Sequence, residues 1–317
     1  MEHLLENNMR VGIVTDAACD LPPNFIGPGR VEILPVSLHV GTQMFTDVRD
    51  EAQTLRFYRM YLGSHEHRAI TKPLPPKEIA DLFLTDWVTR YDRILVLTVA
   101  SSRSEIYKNT SEASYTVLRE YKKIRAAAGI TEPFLMRVFD THTLFTGQAT
   151  MVFEAMRLRD VGRQGFDAIR RQLEIIEPKV RSYLLPQDVY YVHNRARMRG
   201  EESVSWLTFQ VGNLLNVKPV IQMVRGETEI VAKVRKFEGG LEWLFQKIRA
   251  DIVQGLPVKM VSMSYGGDLE EIKREPQYQE FVAFAHQNKV ATSLALMSIT
   301  AGIYVGRGGF SVSYVAP

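Results

Sequence analysis

The chain has 317 residues, about two domains of ordinary size, and its 45% apolar and 24% charged residues are the balance of a soluble globular protein, which excludes a disordered or membrane-spanning one. A formal charge of +3, with basic residues scattered along the chain, leaves no nucleic-acid footprint. The single cysteine, Cys19, has no internal disulfide partner, and without a leader-like or membrane-length apolar run the expected location is the cytoplasm.

In chain order, VGIVTD at 11–16 predicts a strand, VEILPVSLHV at 31–40 a second strand bent at Pro35, and residues 52–62 a helix. Residues 75–90 suit another helix, opened by prolines where a missing N–H costs least. ILVLTV at 94–99, a helix over 104–127 and the strand FLMRVF at 134–139 follow. Near-continuous apolar strands separated by helices imply a parallel sheet covered on both faces. Residues 144–176 read as two helices broken at Gly162 and Gly165. After VYYVHN at 189–194 come a helix over 201–215 and two strand-like runs flanking Arg225-Gly226-Glu227 as a hairpin turn. A helix over 240–254, VKMVSMSY at 258–265, a helix reaching 288, ATSLALMS at 291–298 and FSVSYV at 310–315 complete the pattern. The expected fold is α/β in two domains. Residues 1–160 carry a mostly parallel sheet with helices on both faces, residues 161–317 a mixed sheet with helices, and a cleft separates them.

Ligands of open parallel sheets bind beyond the carboxyl ends of the strands, where loops are free and helix amino ends present unpaired N–H groups. Asp16 follows the first strand, Thr71-Lys72-Pro73 precede a helix, Ser101, Ser102 and Ser104 follow the central strand, and Asp140, Thr141, His142 and Thr143 follow the last. Each alone suits a turn or an N-cap, the commonest task of a serine or aspartate there. Their concurrence at several strand ends points to a site for a polar or anionic head group. The phosphate loop, the nucleophile elbow and the paired-histidine zinc motif do not occur. Gly306-Arg307-Gly308-Gly309 does not match the dinucleotide fingerprint, and the turn holding His65 and His67 suits solvent better than a metal. No cofactor and no metal are expected. Cys19 reads as a small buried apolar residue.

The order of motifs resembles the DegV family of bacterial fatty-acid-binding proteins, which present an acyl chain to a separate fatty acid kinase. VGIVTDAACDLPP, VEILPVSLHVG, ITKPLPP, VASSRSEIYKNTSEA, VFDTHTLFTGQA, VYYVHNRARM and GNLLNVKPVIQMVRGETEIVAKVR carry the likeness over nearly the whole chain. The resemblance implies an apolar tunnel between the two α/β domains, where in the family hydroxyls, an arginine and a histidine hold the carboxylate. On that basis Thr71, Ser104 and Arg197 hold the head group, joined by Lys72, Ser101, Ser102, Tyr304, Gly306 and Arg307, while Arg235 faces the kinase or the phosphoryl group. Met151, Met156, Met198 and Met223 are candidates for the tunnel wall or for ordinary core. The partners so implied are a long-chain fatty acid and a fatty acid kinase, with a monomeric state, transient contact with a membrane surface and no nucleic acid.

The chain departs from the family pattern at the head group. Lys72 stands where the family has a second hydroxyl, Glu105-Ile106 where it has Gly-Thr, Ala196 where it has glycine, Arg307 inside its Gly-Pro-Gly segment, and Tyr304 where it has histidine. Between Met198 and Gly212 the chain carries a short insertion. Lys72 and Arg307 either bring two cations to the pocket mouth, for a bulkier or more highly charged head group, or point into solvent. Three readings follow: a non-catalytic acyl carrier, which is preferred; an enzyme on a small anionic substrate with Asp16, Asp140 and His142 as acid or base; and an interaction module with a structural cleft.

Overall fold

The computed structural model describes residues 9–63, 69–192 and 217–317. The first half forms β1 (Val11–Asp16), β2 (Val31–Leu34), β3 (Val36–Val40), β4 (Gln43–Asp47), α1 (Glu51–Tyr61), β5 (Ala69–Pro73), α2 (Pro76–Leu82), β6 (Arg93–Thr98), α3 (Ile106–Ala127), β7 (Leu135–Asp140) and α4 (Thr146–Asp160). The second half forms α5 (Phe166–Ile176), β8 (Val180–Leu185), β9 (Val217–Val224), β10 (Glu227–Arg235), α6 (Lys236–Gln254), β11 (Met260–Tyr265), α7 (Leu269–Lys273), α8 (Pro276–Gln287), β12 (Ala291–Leu296), α9 (Ile299–Val305) and β13 (Phe310–Val315).

The first sheet is parallel, in the order β2-β1-β6-β7. Successive side chains of a strand point to opposite faces. Ile13, Leu95 and Leu97 therefore pack with Val152 of α4 and Leu173 of α5, while Val14, Ile94 and Val96 pack with Ile79 of α2 and Val117 of α3. Burial on both faces is why these strands read as unbroken apolar runs.

At Pro35 the structure corrects the sequence reading: the expected bent strand is two strands in two sheets. A residue without an N–H cannot continue the ladder. β2 stays in the parallel sheet, and β3 pairs antiparallel with β4 and β5 in a second, three-stranded sheet that the pattern did not predict. Leu38 lies opposite Thr71 and Ser37 opposite Lys72, so Thr71 faces inward with Leu38 and Lys72 faces outward.

The third sheet is mixed, in the order β10-β9-β8-β13-β11-β12. Its hairpin turns at Arg225 and Gly226, with φ of 50° and 82°, the two left-handed residues of a tight two-residue turn, where the sequence placed it. β8 has no counterpart in the sequence reading. The helix expected over 201–215 lies outside the described residues, as do Arg197, Met198, His65 and His67.

α4 is the layer shared by both halves. Residues 146–155 are buried all round. Toward the parallel sheet, Gln148 Nε2 donates to Thr15 Oγ1 at 2.8 Å and to the Leu97 carbonyl at 3.0 Å. Toward the mixed sheet, Thr146 and Ser311 share a hydroxyl hydrogen bond of 2.6 Å, and Thr150 donates to Ser262 at 3.0 Å. Small side chains on that face of the sheet let the helix come close: a Cβ on Gly147 would lie 2.0 Å from Thr143 Oγ1 and 2.1 Å from Ser182 Oγ. Among the described residues no helix is long and apolar enough to cross a membrane.

Candidate functional site

The carboxyl ends of β1 and β6 are tied together by Asp16. Its carboxylate accepts from the backbone N–H groups of Ala18 (3.0 Å) and Val99 (2.7 Å) and from Gln148 Nε2 (2.9 Å). Complete burial raises its pKa to about 6, against the pull of those three donors. Asp140 accepts from the N–H groups of Ser101 and His142, and His142 Nδ1 lies 3.0 Å from Glu177 Oε1. Both aspartates fix the turns that follow their strands. The acid-base roles of the enzyme reading would have to be played by carboxylates already engaged in this way. Among the described residues no group of three or more His, Cys, Asp or Glu side chains is placed to hold a metal ion.

Beyond those strand ends lies an apolar cluster built from both halves: Ala17, Val36, Val99 and Phe145 from the first, Met297 and Val305 from the second. Tyr304 of α9 packs at its margin, and its hydroxyl shares a hydrogen bond of 2.8 Å with Thr71 Oγ1 on β5. Two residues separated by 233 positions thus form one hydroxyl pair at the edge of apolar surface.

A second group, missed in the sequence, holds α9 in place. Asp20 Oδ1 accepts from the Ser298 N–H at 2.8 Å and Oδ2 from Ser264 Oγ at 2.6 Å. Asp47 Oδ2 accepts both the N–H and the hydroxyl of Thr300 at 2.9 Å. Arg49 Nη2 donates to the carbonyls of Leu296 (2.8 Å) and Leu21 (3.1 Å), with Nη1 3.8 Å from Asp20. All three side chains are buried, and burial raises the pKa of Asp20 even though Arg49 lowers it. A faint signal existed in DVRD at 47–50, a dense charge cluster at the end of β4.

The other predicted residues fall as follows. Ser104 is half-buried at the entry to α3, where its hydroxyl accepts from the Ile106 N–H at 3.3 Å. One turn on, Asn109 donates to the Leu74 carbonyl, which sets the start of α3 beside the end of β5. Ser101 and Ser102 are exposed, and Arg103 between them and Ser104 donates to the Gly226 carbonyl of the hairpin turn at 3.0 Å. Lys72 and Arg307 are exposed, the former on the face of β5 opposite Thr71. Gly306 is buried with φ of 86°, and a Cβ there would lie 2.5 Å from the Tyr191 ring. Arg235 is exposed at the end of edge strand β10. Met151 and Met223 are buried and Met156 is packed at the margin of the core around α4.

Fold and site define a class: a two-lobed α/β protein with one parallel and one mixed sheet, a shared buried helix, and a hydroxyl-edged apolar cluster where the lobes meet. The chain belongs to the DegV family, whose model, described as "Uncharacterised protein, DegV family", matches residues 10–317. A DegV domain-containing protein of Xanthomonas axonopodis pv. citri is 40% identical over 308 residues, covering 97% of this chain and 98% of the relative. Among solved structures, a fatty acid (stearic acid)-binding protein of Eubacterium ventriosum is similar with a TM-score of 0.75 at 18% identity, covering 96% of this chain and 98% of that one. The fatty acid kinase (Fak) B3 protein of Streptococcus pneumoniae, loaded with linoleic acid, is similar with a TM-score of 0.71 at 16% identity, covering 97% and 99%.

Proposed function

We propose that the chain is a non-catalytic lipid-binding protein that holds a long-chain fatty acid between its lobes and presents the carboxylate to a fatty acid kinase. The observation that carries this reading is the Thr71–Tyr304 pair at the margin of an apolar cluster drawn from both lobes. Each of the two hydroxyls can both donate and accept a hydrogen bond, so the pair sets two such groups at the edge of apolar surface. A carboxylate removed from water needs such donors, or it takes up a proton. Ser104, at the entry to α3, and Arg197 complete the head-group set on this reading, and the exposed Arg235 faces the partner.

Of the two similar solved structures, one is a stearic acid-binding protein and the other is loaded with linoleic acid, which supports the ligand class, and the kinase in the name of the second supports the partner. The magnitudes agree: sequestering a sixteen-carbon chain at about 0.8 kcal/mol per CH₂ gives on the order of 10 kcal/mol before ordering costs, enough for a lipid to survive purification. Organic extraction of the purified protein followed by mass spectrometry tests the reading. A stoichiometric fatty acid is expected, and labelled phosphate should pass from ATP to that lipid when a fatty acid kinase is added. An extract without lipid, together with no uptake of added fatty acid, would reject it.

A further inference from the structure

We infer that Asp47 and Arg49 are positioning residues for the head-group hydroxyls: by clasping the start of α9 they set Tyr304 against Thr71. The functional meaning rests on the reading above, and the geometry stands apart from it. α9 lies between β12 and β13 of the second half, yet its first turn is gripped by the first. Asp47 takes both donors of Thr300, and Arg49 holds the Leu296 carbonyl at the end of β12. Tyr58 of α1 donates to the Met297 carbonyl at 2.9 Å and leaves no room above Gly302, where a Cβ would lie 2.3 Å from its hydroxyl.

Arg49 has a φ of 65°, and its own N–H donates to Asp47 Oδ1 at 3.0 Å, so the two charged side chains form one rigid turn. Buried charges hydrogen-bond strongly and directionally because the surrounding dielectric is low. Thr300 and Tyr304 are four residues apart, one turn along the same helical face, so a displacement of one is carried to the other. The clasp therefore sets where the Tyr304 hydroxyl stands relative to β5.

The test needs no ligand at first. In protein labelled with ¹³C at tyrosine Cζ, the Tyr304 resonance is assigned by its loss in Tyr304→Phe, and its shift in Thr71→Val reports the broken pair. The same resonance is expected to move in that direction in Asp47→Asn, and in the milder Thr300→Val should Asp47→Asn fail to fold, with Tyr183 and Tyr314 unmoved. An unchanged Tyr304 signal, or equal movement of every tyrosine, overturns the inference. With ligand, the affinity ratio of hexadecanoic acid to hexadecanol should fall about fivefold in Asp47→Asn, the worth of one hydrogen bond, and should fall no further when Asp47→Asn is added to Tyr304→Phe. Additive losses overturn the positioning role. If the wild type binds neither lipid, the proposed function fails while the resonance experiment still decides the geometry.

Discussion

Thr71 Oγ1 on β5 and Tyr304 Oη on α9 lie 2.8 Å apart and join the three-stranded sheet of the first lobe to a helix contributed by the second. Removing either hydroxyl should cost the head group one donor. Thr71→Val and Tyr304→Phe are each expected to weaken fatty acid binding about fivefold and to lower stability by about 1 kcal/mol. Isothermal titration and thermal unfolding check this; binding that stays at the wild-type level in both variants would deny the pair its role.

Gly147 is a point of close approach between α4 and the mixed sheet, since a methyl group added there would stand 2.1 Å from Ser182 Oγ on β8 and 2.0 Å from Thr143 Oγ1. Gly147→Ala gains helix propensity but must push Thr143 and Ser182 apart. A net loss of about 3 kcal/mol is expected, at the upper end of overpacking costs. Urea unfolding measures it, and a neutral or stabilising result would mean that the hydroxyl layer yields easily.

Asp16 gives stability a pH dependence of defined sign. Its folded pKa, about 6, lies above the ordinary 3.8 of an aspartate, so the folded state keeps a proton that the unfolded chain has released. Stability present below about pH 4 is lost as pH rises through 6, by about 3 kcal/mol at most. Asp20, raised in the same direction by burial, adds to the effect. Carboxyl-carbon NMR should find the Asp16 midpoint near 6; a midpoint at or below 4 would refute the assignment.

Arg49 lies 3.8 Å from Asp20, and both are buried. Arg49→Met leaves Asp20 without its cation, and a loss of about 3 kcal/mol is expected. The loss should be smaller at pH 5 than at pH 7, because an unpaired Asp20 then takes up a proton. Unfolding curves at the two pH values decide, and an equal loss at both would show that charge is not what Arg49 supplies.

Lys72→Ala and Arg307→Ala should leave fatty acid affinity within twofold and stability within about 0.5 kcal/mol, since both side chains are exposed. A tenfold weakening of binding in either variant would restore the alternative, two cations serving a more highly charged head group.

The parallel sheet was legible because β1 and β6 are buried on both faces and carry little but apolar residues, and the edge strand β7 is still mostly apolar. β8 was not: one of its faces meets the hydroxyl layer, so Ser182 interrupts the apolar pattern. β4 and β5 are five residues each, and their apolar residues stand side by side (Met44 and Phe45, Ala69 and Ile70) instead of alternating with polar ones, so no periodicity separates them from loop. Thr71 and Ser104 could be proposed from resemblance. The clasp could not, because Arg49 meets the Leu296 carbonyl 247 positions away and no local pattern records such a meeting.

α9 belongs to the end of the chain by synthesis and to the first lobe by contact. On the ribosome, Thr71 emerges long before Tyr304, and Asp20, Asp47 and Arg49 must wait with their charges still hydrated until residues 296–304 arrive. The Thr71–Tyr304 pair is therefore among the last contacts to form, and a nascent chain halted before α9 would hold every strand of the parallel sheet and lack that pair.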